Sequence, residues 1–143
     1  MERLDITNMG LNETFWRGQN NFVISLPSSK EYRVVSGGGY QSRKGMAIIA
    51  DRFTCLILSA TVLSSEHVAT IVIKGHLKDI MIIQVYAPTL ADYDEDLKKF
   101  YENIGEAMKI SSGKKDRVII LMGDWNAKVG KERISVAVGP FDQ

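Results

Sequence analysis

The sequence predicts an α+β domain in which mixed, mostly antiparallel sheets are flanked by helices. Short runs of β-branched and aliphatic residues recur between residues 31 and 86, at strand length and separated by polar turns. One amphipathic helix follows them. A last apolar run, residues 118–122, then completes a strand-helix-strand order from residue 80 onward. A meander leading into a single βαβ unit favours a sheet sandwich over a doubly wound nucleotide fold. A chain of 143 residues is long enough for one domain with a core and short for two, so residues 1–143 are read as one domain.

The elements are expected in this order. Residues 6–11 form a short entry strand leading into Asn12, Glu13, Thr14, Phe15 and Trp16. Residues 31–36 alternate as a strand should and run into Gly37, Gly38 and Gly39, which are read as a flexible connection. Residues 45–50 pair back onto that strand across a loop holding Ser42, Arg43 and Lys44. Residues 53–63 and 68–74 are further strands, and residues 68–73 and 80–85 make a hairpin around the polar turn 74–78. Pro88 stops the strand that ends at Tyr86. Asp92 and Glu95 have the spacing of a capping box. Beyond them Leu97, Phe100, Tyr101, Ile104 and Met108 share one helical face, and Lys98, Lys99, Glu102 and Glu106 the other. Residues 111–115 end the helix. The run 118–122, bounded by Arg117 and Gly123, is expected to be a strand buried on both faces.

Composition narrows the function. Apolar residues make up 45% and charged residues 24%, which is globular rather than disordered. Eighteen Lys and Arg against 17 Asp and Glu leave no global field, so contact with a nucleic acid must come from a local patch. Cys55 is the one cysteine; it excludes an intrachain disulfide and, inside an apolar run, reads as an inert buried thiol. No apolar stretch is long enough to span a bilayer and no signal peptide is evident, so an intracellular chain without membrane contact is expected.

Several motifs fail on inspection. The glycine triplet lacks G-x-G-x-x-G spacing, and residues 39–44 lack the Gly-Lys-Ser/Thr of a Walker loop. His67 and His76 have no partner at zinc spacing, and without a Gly-x-Ser-x-Gly elbow an acyl-enzyme route is excluded.

What remains is a set of polar residues at strand ends: Glu13, Tyr86, Asp124 and Asn126. If the strand continues past Gly123, Asp124 and Asn126 project from one face. An acidic group, a phenol and an Asp/Asn pair ringing one edge of a sandwich suit a hard, oxygen-preferring cation and a phosphate. Each also has a structural reading: Glu13 capping a helix that starts near Thr14, Tyr86 as a core aromatic, Asp124 with Asn126 as a turn.

The motifs Gly10-Leu11-Asn12-Glu13 with Trp16, Gln84-Val85-Tyr86-Ala87-Pro88-Thr89, and Gly123-Asp124-Trp125-Asn126-Ala127-Lys128-Val129-Gly130 resemble the endonuclease/exonuclease/phosphatase superfamily. Within it they look like the craniofacial development protein 2-like and retrotransposon-endonuclease branch. Residues 43–49 and 138–141 add to the likeness. The resemblance implies a DNase I-like four-layer α/β sandwich, here incomplete, and Mg2+ (or Mn2+) as cofactor. It implies Glu13 as the metal-binding glutamate and Tyr86 as the contact to the scissile phosphate. Asp124 becomes the aspartate that orients or deprotonates water, and Asn126 the asparagine that stabilises the transition state. Arg17, Arg43, Lys44 and Lys128 are candidate phosphate contacts or simply solvated charge.

This chain departs from the family's pattern in several places. The family's first strand carries an asparagine beside the metal, and its last motif is an Asp-His pair; neither is found in residues 1–143. Thr89 stands where many members have Asn, and Trp125 where Phe or Leu is more usual. The expected function is therefore a fragment of a Mg2+-dependent phosphodiesterase acting on nucleic acid, DNA favoured, with little activity and low stability alone. The alternatives are a degenerate retrotransposon-derived binding module, or a phosphatase of the same superfamily.

Overall fold

A computed structural model describes residues 1, 5–38, 45–56, 58–63, 65, 67–89, 94–110 and 116–127; of residues 55–63 only the backbone is described. The fold is α+β. Strands β1 (Asn8–Asn12), β2 (Gly18–Ser25), β3 (Glu31–Gly38) and β4 (Met46–Asp51) form an antiparallel sheet in the order β1-β4-β3-β2. Helix α1 (Arg52–Leu56) leads to a second sheet, in the order β5-β6-β7-β8. It comprises β5 (Leu58–Leu63), β6 (Val68–Ile73), β7 (Asp79–Tyr86) and, after helix α2 (Asp94–Lys109), β8 (Arg117–Asp124). Strands β5, β6 and β7 are antiparallel, and β8 lies parallel to β7, as a helical crossover requires.

Alternation along β6 and β7 decides the layering. Val68, Val72, Met81, Ile83 and Val85 meet Phe100, Ile104 and Ala107 of α2 on one face. Ala69, Ile71, Ile73, Ile82 and Tyr86 meet Met46 and Ile48 of β4 on the other. Strands this apolar on both faces belong in the middle of a sandwich, between a sheet and a helix layer. No helix among the described residues is long and apolar enough to cross a membrane.

The β3–β4 pairing, the β6–β7 hairpin and the βαβ unit agree with expectation. Three local expectations do not hold. Residues 53–63 are not one strand, because Asp51 Oδ1 accepts the Thr54 N–H at 2.8 Å and starts α1 before β5 begins. Gly37 and Gly38 are no loose connection but the end of β3, paired with Gln19 and Gly18 of β2. That strand had no clear sequence signal, since Gly18, Gln19, Asn20 and Asn21 are poor strand formers. Finally, the run 118–122 is not buried on both faces. It is the last strand of its sheet among the described residues, with Val118, Ile119 and Ile120 at 46%, 40% and 43% exposure. Asp92 and the stretches 39–44, 111–115 and 128–143 lie outside the described residues, as does the side chain of Cys55.

Candidate functional site

Three strand ends meet at one edge of the sandwich. β1 stops at Asn12, and Thr14 N–H donates to Gly45 O at 3.1 Å, just past the last β1–β4 pair, so that Glu13 lies between two bonded positions. No helix begins there, so Glu13 caps nothing; its backbone is left-handed, with φ of 53°. A left-handed backbone costs a residue with a Cβ about 1–2 kcal/mol. At the end of β7, Tyr86 pairs with Asp124 of β8, and Ala87 N–H donates to Asp124 O at 2.8 Å.

The extended backbone does not continue beyond Asp124. Gly123 has φ of 142°, and a Cβ there would lie 1.9 Å from Val85 O, so the close approach of β8 to β7 admits only glycine. Asn126 is left-handed, at φ of 46°, with its N–H on Asp124 Oδ1 at 2.9 Å and its Nδ2 donating to Ala87 O at 2.6 Å. Asp124 and Asn126 are thus juxtaposed by a hydrogen-bonded turn rather than by strand alternation. The turn reading describes this geometry, whereas the extended strand on which the shared face depended stops at Asp124.

The Tyr86 hydroxyl donates to Glu13 Oε1 at 2.7 Å, across 73 residues of sequence. Its ring is buried, 6% exposed and packed in the core between the sheets, whereas Glu13, Asp124 and Asn126 are exposed. The phenol is less acidic than usual. The hydrogen bond to Glu13 raises its pKa most, then burial, then the negative charges of Glu13 and Asp124; the Asn126 side-chain amide acts in the opposite direction. Glu13, Asp124 and Asn126 therefore all bear on the Tyr86 oxygen. An inter-sheet link supports the arrangement from below. Gln84 Nε2 donates to Asn12 Oδ1 at 2.8 Å, and Asn12 Nδ2 to Val85 O at 3.3 Å.

The donor set is two carboxylates, a phenol and an amide, all hard ligands and hydrogen-bonding groups without a thiol. Among the described residues no group of three or more His, Cys, Asp or Glu could cage a metal ion. A cation that keeps most of its water needs only one or two carboxylates, which Glu13 and Asp124 can offer. Arg17 is exposed three residues beyond Thr14, and Arg43, Lys44 and Lys128 lie outside the described residues.

His67 was missed by sequence reasoning. Its ring packs along that of Tyr86, centroids 6.1 Å apart and planes 16° from parallel. A histidine one residue before a strand that pairs with the tyrosine strand was the available signal.

No family model matches the chain. It is similar to craniofacial development protein 2 of Bos taurus, 30% identical over 141 residues, covering 99% of this chain and 23% of that protein. It is 28% identical to craniofacial development protein 2 of Tragulus javanicus, again over 99% of this chain and 24% of the relative. The chain thus spans less than a quarter of the length of the curated relatives it matches. The similarity includes every segment that builds the site.

Proposed function

We propose that the chain forms the phosphate-facing part of a Mg2+-dependent phosphodiesterase of DNase I-like architecture that hydrolyses nucleic-acid backbones. The observation that carries this reading is the hydrogen bond from the buried Tyr86 phenol to Glu13, with Asp124 paired to Tyr86 in the sheet and Asn126 bonded to the next residue, Ala87. Glu13 would hold the cation through the carboxylate oxygen not bonded to Tyr86. When bound, the cation supplies positive charge against the phosphate. The one hydroxyl hydrogen of Tyr86 rests on Glu13, and it would reach a phosphate oxygen by exchanging that bond as charge develops there. Asp124 has one oxygen committed to the Asn126 N–H, and its second can accept a proton from water. Asn126 uses one amide hydrogen on Ala87 O, and the other faces the Tyr86 oxygen, from which it would turn to the phosphate.

Nicking of a supercoiled plasmid, with Mg2+ or with chelator, tests the reading alongside Mn2+ binding followed by water-proton relaxation. The expected result is slow, metal-dependent nicking that Asp124→Ala reduces by about 100-fold or more, with Mn2+ binding weakened in Glu13→Gln. Nicking that ignores both metal and Asp124→Ala, with Mn2+ binding unchanged in Glu13→Gln, overturns it. Salt-dependent DNA binding that survives Asp124→Ala without turnover would identify a binding module instead.

A further inference from the structure

We propose that His67 is a positioning residue for Tyr86, its imidazole clamping both the main chain and the ring of the tyrosine so that the phenol stays on Glu13. The importance of that placement for catalysis rests on the function proposed above; the clamp itself does not.

The geometry starts from strand pairing. Tyr86 N–H donates to His67 O at 3.0 Å, extending the β6–β7 ladder by one pair and setting the two side chains next to each other. Nδ1 of His67 then lies 2.6 Å from Tyr86 O. A carbonyl oxygen only accepts, so Nδ1 must carry hydrogen, which fixes the tautomer of the neutral ring. The ring runs nearly parallel to the phenol and meets the edge of Phe100 from α2, with centroids 6.3 Å apart and planes at 78°. From behind, Ser65 Oγ accepts the His67 N–H at 3.1 Å. His67 therefore has its main-chain N–H, its Nδ1 and two ring contacts accounted for by named neighbours.

Such a clamp has a use. Tyr86 sits at the last position of β7, where the ladder that fixes the rest of the strand is ending. A donor aimed at a developing charge must be held to within about 0.5 Å by packing and hydrogen bonds of its supporting residues. Among the described aromatic contacts of Tyr86, only His67 lies along its ring. Neither zinc spacing nor a catalytic triad could have revealed this role, because the partner of the imidazole is a backbone carbonyl.

Two spectroscopic measurements test the proposal without any assay of activity. In the unmodified chain, long-range 15N–1H correlation of His67 at a pH where the ring is neutral should show hydrogen on Nδ1; hydrogen on Nε2 instead overturns the clamp. The 13Cζ resonance of Tyr86 at neutral pH, identified by its loss in Tyr86→Phe, reports the bond to Glu13. It should move to the free-tyrosine position in His67→Ala and stay near its original position in His67→Asn, whose amide N–H reaches the place of Nδ1–H. His67→Phe keeps an aromatic ring without the donor and should fall between the two. An unchanged Tyr86 resonance in His67→Ala or His67→Phe, with fold retained by circular dichroism, also overturns the proposal. If nicking is detected, His67→Ala should lower kcat by about 10-fold with KM for DNA little changed. Failure of the nicking assay alone bears on the proposed function and leaves the clamp standing.

Discussion

At the scale of single residues, the site combines a strained backbone with a charged hydrogen bond. Glu13 and Asn126 both adopt left-handed conformations without being glycine, which is costly and is often found where a side chain must be held in a particular place. This gives a test independent of chemistry. Glu13→Ala and Glu13→Gly lose the same carboxylate and differ mainly in backbone freedom. In an ordinary strand the glycine variant would be the weaker by about 0.5–1 kcal/mol; here it should be the more stable by about 1 kcal/mol, as read by urea denaturation. Glu13→Ala should also make the Tyr86 phenol more acidic, because the bond to Glu13 is the largest cause of its raised pKa. The sign for stability follows. A phenol whose folded pKa exceeds its unfolded value of about 10 contributes stability that is fully present below that pH. The contribution is lost as pH rises through the folded value. Alkaline unfolding of Glu13→Ala should therefore show less loss of stability in that window than the parent chain, measured against Tyr86→Phe as a control.

At the scale of elements, legibility tracked the strength of local pattern. The helix and the hairpin of β6 and β7 announce themselves by periodicity and both are present, although of the expected face only Phe100 and Ile104 are buried, joined by Ala107, while Leu97, Tyr101 and Met108 are exposed. β2 was invisible because its first half is Gly, Gln, Asn and Asn, and only pairing with β3 makes it a strand. The start of α1 was hidden in a run of apolar residues, where one aspartate acting as cap outweighed the strand pattern. The apolar run of β8 says strand but not where the strand lies in its sheet. The site residues were legible as local motifs, and the Asp124–Asn126 turn was one of their readings, yet their left-handed backbones and the support from His67 were not. Those features are made by tertiary contact. Gly123 shows how strict such contact can be. A methyl group there would overlap the Val85 carbonyl and must also adopt φ of 142°. Gly123→Ala should lose about 1–3 kcal/mol from backbone strain alone and separate β8 from β7. Urea denaturation gives the loss, and amide hydrogen exchange at residues 83–86 should speed up with it; unchanged protection there would show that β8 can slide without cost.

At the scale of the whole molecule, the site depends on how the two sheets are fastened at one end. Glu13 belongs to the end of the first sheet and Tyr86 to the second, so their 2.7 Å bond requires the sheets to keep register across the interface. Apolar packing of Met46 and Ile48 against Ile71 and Ile82 supplies attraction but little direction. Direction comes from the Asn12–Gln84 amide pair, with Gln84 only 3% exposed and the bare Cα of Gly10 lying against its side-chain amide. Removing one partner of a buried pair strands the other, at about 1–3 kcal/mol, whereas replacing both with apolar groups can be nearly neutral. Asn12→Ala and Gln84→Met should therefore each destabilise the fold, and the double variant should cost clearly less than their sum. A coupling of about 0.5–3 kcal/mol is expected for groups in direct contact. The same variants should shift the Tyr86 13Cζ resonance toward that of free tyrosine, because Glu13 is only one residue beyond Asn12. Additive stabilities and an unmoved Tyr86 resonance would mean that packing alone aligns the sheets, and that the site is held by its own hydrogen bonds rather than by the fold beneath it.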